Sequence, residues 1–202
     1  MRYFTRPAAP DFLLRNAARW NQQWADLKSR NSGASFQWYK FEGQPVNQKI
    51  SPLLAALAQE HCAYCDAFPN KSDDDTIDHF KPKSDARFLL LAYEWTNLYS
   101  ACGHCQKEKW EQYSELTLRP DSETYAFERY FAYNYASHEI EPYPDATPEE
   151  REQATKTIQI FHFNHPGQVT ARRQSWERWW SPMASQVLED YAFRFIFEEA
   201  GF

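Results

Sequence analysis

Cys62-Ala63-Tyr64-Cys65, then Thr76-Ile77-Asp78-His79-Phe80-Lys81-Pro82-Lys83-Ser84, then Asn97-Leu98, then Cys102-Gly103-His104-Cys105-Gln106-Lys107-Glu108-Lys109 follow one another in less than a quarter of the chain. All four cysteines lie in this stretch, as two C-x-x-C pairs separated by residues 66–101. Two such pairs are a metal signature. Four thiolates at about 2.3 Å satisfy tetrahedral Zn²⁺ and leave no open coordination position, so the expected zinc is structural. His61 and His104 stand beside the cysteines as substitute ligands, though four cysteines do not need them. A redox reading would require one pair beside a βαβ pattern, and a cytoplasmic chain disfavours disulfides.

Between the cysteine pairs stands an Asp-His dipeptide whose chemistry suits phosphodiester hydrolysis. A phosphodiester repels nucleophiles and has a poor leaving group. A divalent cation can neutralise the scissile phosphate while a neutral imidazole deprotonates the attacking water. His79 has an ordinary pKa near 6.5, compatible with a base at neutral pH. Asp78 offers the oxygen that a hard cation such as Mg²⁺ prefers. Neighbouring strand residues point to opposite faces, so both side chains reach one phosphate only if the chain bends after His79.

In these residues the chain resembles the zinc-binding form of the HNH endonuclease superfamily. Its pattern runs C-x-x-C, D-H-x-x-P, N-L and C-x-x-C-(H or N)-x-x-K, matched here from Cys62 to Lys109. The resemblance implies a ββα-metal core with a bend after His79. It also implies His79 as general base, Asp78 as a cation ligand, and Asn97 as the residue that holds the catalytic loop and orients the histidine. The position that normally carries a ligating His or Asn is Gln106. Its carbonyl can coordinate a hard cation, but the extra methylene moves the oxygen outward. Either Gln106 ligates, or water or His104 completes the shell, or the site is weakened.

Further features resemble a narrower group, the HNH subunit PtuB of Septu defence systems and its retron-associated relatives. They are the spacing from Ile50 to Cys65, the Ile77–Ser84 block, Arg119-Pro120 with Phe127, Tyr130 and Phe131, and the segment from Thr157 to Arg173. That resemblance implies a PtuA-like ABC-type ATPase as partner, in defence against bacteriophage.

Outward from the motif, residues 1–60 read as helical. Leu13, Ala17, Trp20, Trp24 and Leu27 mark one helix face, started by Pro10-Asp11 and stopped by Asn31-Ser32-Gly33. Ser51-Pro52 reads as the start of a second helix, with Leu53, Leu54 and Leu57 as its buried side. After the core, Tyr125, Phe127, Phe131, Tyr133 and Tyr135 keep period two, which predicts a strand. A turn near Ser137-His138 and a return through Ile140 complete a hairpin. Thr147-Pro148-Glu149-Glu150 is a capping box, and Ser181-Pro182 is expected to open a last helix. The fold class is therefore α+β: a zinc-stapled HNH core at 61–120, an N-terminal helical segment at 1–60 and a C-terminal hairpin-and-helix extension at 121–202, integrated in one domain.

The net charge of −6 over 202 residues is unusual for a free-standing nucleic-acid binder. Residues 1–60 hold 8 basic and 4 acidic side chains, residues 61–120 hold 7 and 10, and residues 121–202 hold 7 and 14. A partner is expected to supply positive surface, docking on the N-terminal helices or on Trp176, Trp179, Trp180, Tyr191, Phe193, Phe195 and Phe197. No secretory leader and no apolar run of membrane-spanning length is evident, so a cytoplasmic location is expected. A metal-dependent endonuclease acting on DNA, or on RNA such as tRNA, is the favoured reading. The competing readings are a zinc-stapled binding module with weakened catalysis and a purely structural zinc protein.

Overall fold

The computed structural model describes residues 1–69 and 77–202, so Thr76 of the motif lies outside the described residues. The first helix, α1 (Asp11–Arg30), carries an acid in its first turn and Lys28 and Arg30 in its last, as the helix dipole favours. Leu13, Ala17, Trp20 and Trp24 are buried as their spacing predicts, whereas Leu27 is exposed. Asn21 joins the buried stripe because it has work there. Its Oδ1 accepts from the Tyr93 N–H at 2.7 Å and its Nδ2 donates to Glu94 at 3.0 Å, pinning the helix to a loop of the HNH motif.

A two-residue hairpin, β1 (Lys40–Phe41) and β2 (Gln44–Pro45), leads directly into α2 (Val46–Leu57). The start expected at Ser51-Pro52 is corrected to Val46, and Pro52 sits inside the helix. Apolar spacing decides this. Val46, Ile50 and Leu54 lie four residues apart, one face of a helix, and all three are buried. Ser51 is buried beside that face rather than capping, and Leu53 points out to solvent.

The HNH motif follows as β3 (Ile77–His79) and β4 (Leu98–Ser100), paired antiparallel with Asp78 opposite Tyr99 and His79 opposite Leu98, and then α3 (Gly103–Lys109). This is the expected ββα unit. The single helical turn α4 (Phe127–Tyr130) precedes the hairpin β5 (Phe131–Asn134) and β6 (Glu139–Pro142). The expected strand therefore begins only at Phe131. Phe127 and Phe131 are four apart, a helical-turn spacing, and their rings meet at 5.4 Å.

Thr147 opens α5 (Pro148–Phe161) with both bonds of the capping box in place. Next comes α6 (Pro166–Trp179), which the sequence reading missed. His165 caps it through Nδ1, and Pro166 takes the first helical position. The helix expected at Ser181-Pro182 is instead a turn, and Met183 and Val187 beyond it stand exposed to solvent. The last helix is the short α7 (Phe195–Glu199).

Among the described residues the interior forms two apolar clusters, and both draw on the HNH segment. One joins α1 and α2 to Ile77, Tyr93, Trp95 and Leu98. The other surrounds the cysteines with Tyr64, Phe80, Tyr99 and the aromatic residues of the C-terminal third. Trp179, Tyr191, Phe193, Phe195 and Phe197 are buried there, so these members of the expected docking surface are core. Trp176 is only partly buried, and Trp180 is exposed.

Candidate active site and zinc centre

Cys62 and Cys65 lie on a tight knuckle. The Asp66 N–H donates to the Cys62 carbonyl at 2.9 Å, and the Cys62 N–H donates to the Ala67 carbonyl at 2.8 Å. Cys102 stands at the N-cap of α3 and Cys105 one turn in. The four Sγ atoms lie within 4.8 Å of one another, all buried. A tetrahedron with metal–sulfur bonds of about 2.3 Å has edges of about 3.8 Å, and the Cys65–Cys102 sulfurs are 3.6 Å apart. That spacing is far beyond a disulfide bond of about 2.05 Å.

Hydrogen bonds from Cys105, Cys62 and Cys65 hold the Cys102 thiol far below its ordinary value, while the hydrogen bond to Cys102 pushes Cys65 and burial pushes Cys105 well above theirs. The histidines next to the cysteines face elsewhere: His61 Nε2 lies 3.0 Å from the Tyr191 carbonyl and His104 Nε2 lies 3.3 Å from that of His162.

The knuckle also anchors the C-terminal chain. The Arg194 guanidinium and backbone N–H both donate to the Asp66 carboxylate, and the Phe193 N–H donates to the Asp66 carbonyl at 2.7 Å. Arginine and aspartate are both buried.

Asp78, His79 and Gln106 line one cleft of about 430 Å³, together with Ile77, Pro82, Lys83, Lys107 and Trp110. The strand ends at His79 and the chain bends at Phe80 and Lys81. Asn97 holds that bend from the turn just before β4. Its Oδ1 accepts from the Lys81 N–H at 2.7 Å, and its Nδ2 donates to the carbonyls of Lys81 and Leu91, each at 3.0 Å.

His79 is 4% exposed, stacked on Trp38 at 5.4 Å and met edge-on by Phe36 at 5.3 Å. Its Nε2 lies 2.9 Å from the Ala92 carbonyl oxygen. A carbonyl only accepts, so Nε2 carries the proton and Nδ1 keeps its lone pair. Burial, together with the charges of Lys83 and Lys109, holds the imidazole well below 6.5. Such a ring is neutral at physiological pH and free to take a proton at Nδ1.

Asp78 is held on both oxygens. The Tyr64 hydroxyl donates to Oδ2 at 2.8 Å, and Lys109 Nζ lies 3.1 Å from Oδ2 and 3.3 Å from Oδ1. Lys109 also donates to the His79 carbonyl at 2.7 Å. A carboxylate has about four lone-pair sites, so capacity for a cation remains. Mg²⁺ typically takes one or two carboxylates and fills its shell with water and substrate phosphate, a demand these residues can meet. The Gln106 amide donates to the Ile77 carbonyl at 3.3 Å, which leaves its own carbonyl oxygen for a ligand.

Lys109, Tyr64, Lys83 and the Trp38–Phe36 wall carry no assigned role in the sequence reading. Lys109 did leave a signal. It lies four residues after the buried Cys105 on α3, hence on the buried face, where a lysine needs an acid. Nothing local marks Trp38 and Phe36, which reach His79 only through the fold.

A family model described as HNH endonuclease matches residues 62–112. That span holds both cysteine pairs, the Asp-His dipeptide, Asn97 and Lys109. The search of curated proteins found no match. The chain thus carries an HNH endonuclease domain with a four-cysteine cluster fit for zinc.

Proposed function

We propose that this protein, through its HNH domain, is a metal-dependent endonuclease that hydrolyses phosphodiester bonds in nucleic acid. The observation that carries this reading is His79, a neutral imidazole of fixed tautomer whose cleft also holds Asp78. His79 Nδ1 takes a proton from water as the oxygen attacks phosphorus, and the P–O bond to the leaving alkoxide breaks. The Ala92 carbonyl steadies the resulting imidazolium through Nε2. Asp78 and Gln106 would hold a divalent cation, which when bound would supply charge neutralisation at the phosphate and at the leaving oxygen. Asn97 keeps the bend after His79 rigid, so that base and carboxylate face the same phosphate. DNA is the first candidate substrate and RNA the second.

The resemblance to PtuB supports a finer reading, a defence nuclease working with a PtuA-like ABC-type ATPase. Charge adds to it. Of the eight basic residues in 1–60, Arg2, Arg6, Arg15 and Lys49 each pair with a carboxylate of this chain, which reduces the positive charge that segment can offer a polyanion. The exposed apolar residues Trp180, Met183, Val187 and Phe202 replace the buried aromatics as the C-terminal docking candidates. No helix among the described residues is long and apolar enough to cross a membrane.

A second reading, a binding module with weakened catalysis, draws on the Lys109 ion pair that already occupies Asp78 and on Gln106 in the ligand position. One experiment decides between the two. Wild-type and His79→Ala protein are incubated with DNA and RNA and Mg²⁺ or Mn²⁺, with and without a PtuA-like ATPase. Cleavage confined to the wild type supports the nuclease, and binding without cleavage under every condition supports the module.

A further inference from the structure

Trp110 ends α3 with φ +46° and ψ −121°. Helices commonly close on glycine or asparagine at such positive φ, because a β-carbon is strained there. A bulky residue in that region is an outlier that costs on the order of a few-fold to a hundred-fold in local equilibrium and survives where the surroundings or function demand it. Here the surroundings demand little. The residue is 73% exposed, and among the described residues no other ring or cation packs on the indole. Its one bond is the backbone N–H to the Gln106 carbonyl at 2.9 Å, which any residue but proline could make.

Trp110 does line the cleft of Asp78, His79 and Gln106, together with Lys83 and Lys107. The acid at that rim, Glu111, accepts a hydrogen bond from Ser84. At about 430 Å³ the cleft lies toward the small end of ligand pockets, about 300–1,000 Å³. A flat, uncovered ring beside a hydrolytic centre and two lysines matches the way proteins grip single strands: bases stack on aromatics while cations follow the phosphates. A paired base inside a duplex has both faces covered by its neighbours and cannot stack on such a ring without being extruded.

We propose that Trp110 is a stacking platform for an unpaired nucleobase next to the scissile phosphate, so that the substrate of this site is single-stranded, looped or locally opened nucleic acid. This rests on the nuclease reading above and specifies its substrate class. Because every base has a π-face, the platform selects unpaired character rather than sequence.

The test uses the full chain, with a PtuA-like ATPase if cleavage requires it, on single-stranded DNA, single-stranded RNA and duplex of the same sequence. Trp110→Ala is expected to raise KM on the single strands by about 5- to 150-fold, the range for loss of one stacked base. Trp110→Phe should keep most of the activity. An abasic nucleotide beside the cut site should reproduce the loss in the wild type and add little to Trp110→Ala. Whichever of DNA or RNA shows the effect identifies the strand type. Trp110→Gly relieves the backbone, so it should weaken substrate binding while leaving Tm unchanged or higher. A large drop in Tm for Trp110→Gly would make the indole structural and overturn the proposal. So would unchanged cleavage of single strands by Trp110→Ala, or a preference of the wild type for duplex.

If the wild type cleaves nothing, the nuclease reading fails, and stacking is read separately by fluorescence anisotropy of a labelled single-stranded oligonucleotide. Binding to His79→Ala protein that Trp110→Ala weakens upholds the platform. No binding, or binding indifferent to Trp110, overturns it.

Discussion

Lys109 Nζ lies 3.1 Å from Asp78 Oδ2 and 2.7 Å from the carbonyl oxygen of His79, with the lysine 1% and the aspartate 5% exposed. One ammonium thus braces the side chain and the backbone of the two neighbouring residues on which the proposed chemistry depends. It also sets a limit on that chemistry, since a cation arriving at Asp78 shares the carboxylate with a resident positive charge.

Breaking this pair on one side leaves the other charge buried without a partner, which costs about 3–5 kcal/mol. Lys109→Met is therefore expected to destabilise the fold by that order in urea unfolding. The double variant Lys109→Met with Asp78→Asn should recover part of the loss, because neither group is then charged. Equal stability of the single and double variants would show that the pair carries no such coupling.

His79→Ala is expected to abolish cleavage while zinc content stays intact, since the ring touches no cysteine. The pH dependence follows from its depressed pKa. The base protonates only well below 6.5, so the rate should stay flat as pH falls from neutral through 6.5 and drop only beyond it. Stability moves in the same sense. The unfolded imidazole binds a proton near 6.5 and the native ring does not, so stability from this group is present above 6.5 and is lost as pH falls toward the native value. A His79 imidazole signal titrating at or above 6.5 in NMR would contradict both statements.

Gln106 is tested by cation dependence rather than by rate alone. If its carbonyl ligates, Gln106→Ala should raise the Mg²⁺ or Mn²⁺ concentration for half-maximal cleavage by several-fold to about a hundred-fold, the range seen when support of a metal is lost. Gln106→Asn and Gln106→His should remain active. An unchanged cation midpoint in Gln106→Ala assigns that position to water or to another side chain.

Zinc is expected at about one per chain, as four-cysteine coordination requires, measured by elemental analysis of purified protein. Its removal should unfold more than the HNH segment. The knuckle that holds Cys62 and Cys65 also holds Arg194 through Asp66, so chelation should release the C-terminal chain as well. Increased proteolysis after residue 180 in chelator-treated protein checks this. Four freely titratable thiols in native, metal-free and fully stable protein would remove the staple.

The sequence by itself determined what depends on short spacings. Two C-x-x-C pairs specified a metal cluster, because ligand convergence is written in the interval between cysteines. The Asp-His dipeptide and Asn97 located the ββα unit, and Thr147 with Glu150 located a helix start through bonds only three residues long. Where two periods competed, local reading failed. Pro52 looked like a helix start although Val46, Ile50 and Leu54 had already committed the chain to helix, and Phe127 looked like strand because four-residue and two-residue spacings coincide there.

Only the tertiary structure decided the environment of the site. The depressed basicity of His79 comes from burial under Trp38 and Phe36 and from the charges of Lys83 and Lys109, and its tautomer from the Ala92 carbonyl, groups brought together from the loop after α1 and from the HNH motif. Desolvation and tautomer choice are properties of what surrounds a group, and no interval along the chain encodes them. The same holds for the C-terminal aromatics. Their composition suggested a surface, but burial against the zinc knuckle made most of them core, because the hydrophobic gain from covering a ring depends on which face of the fold receives it.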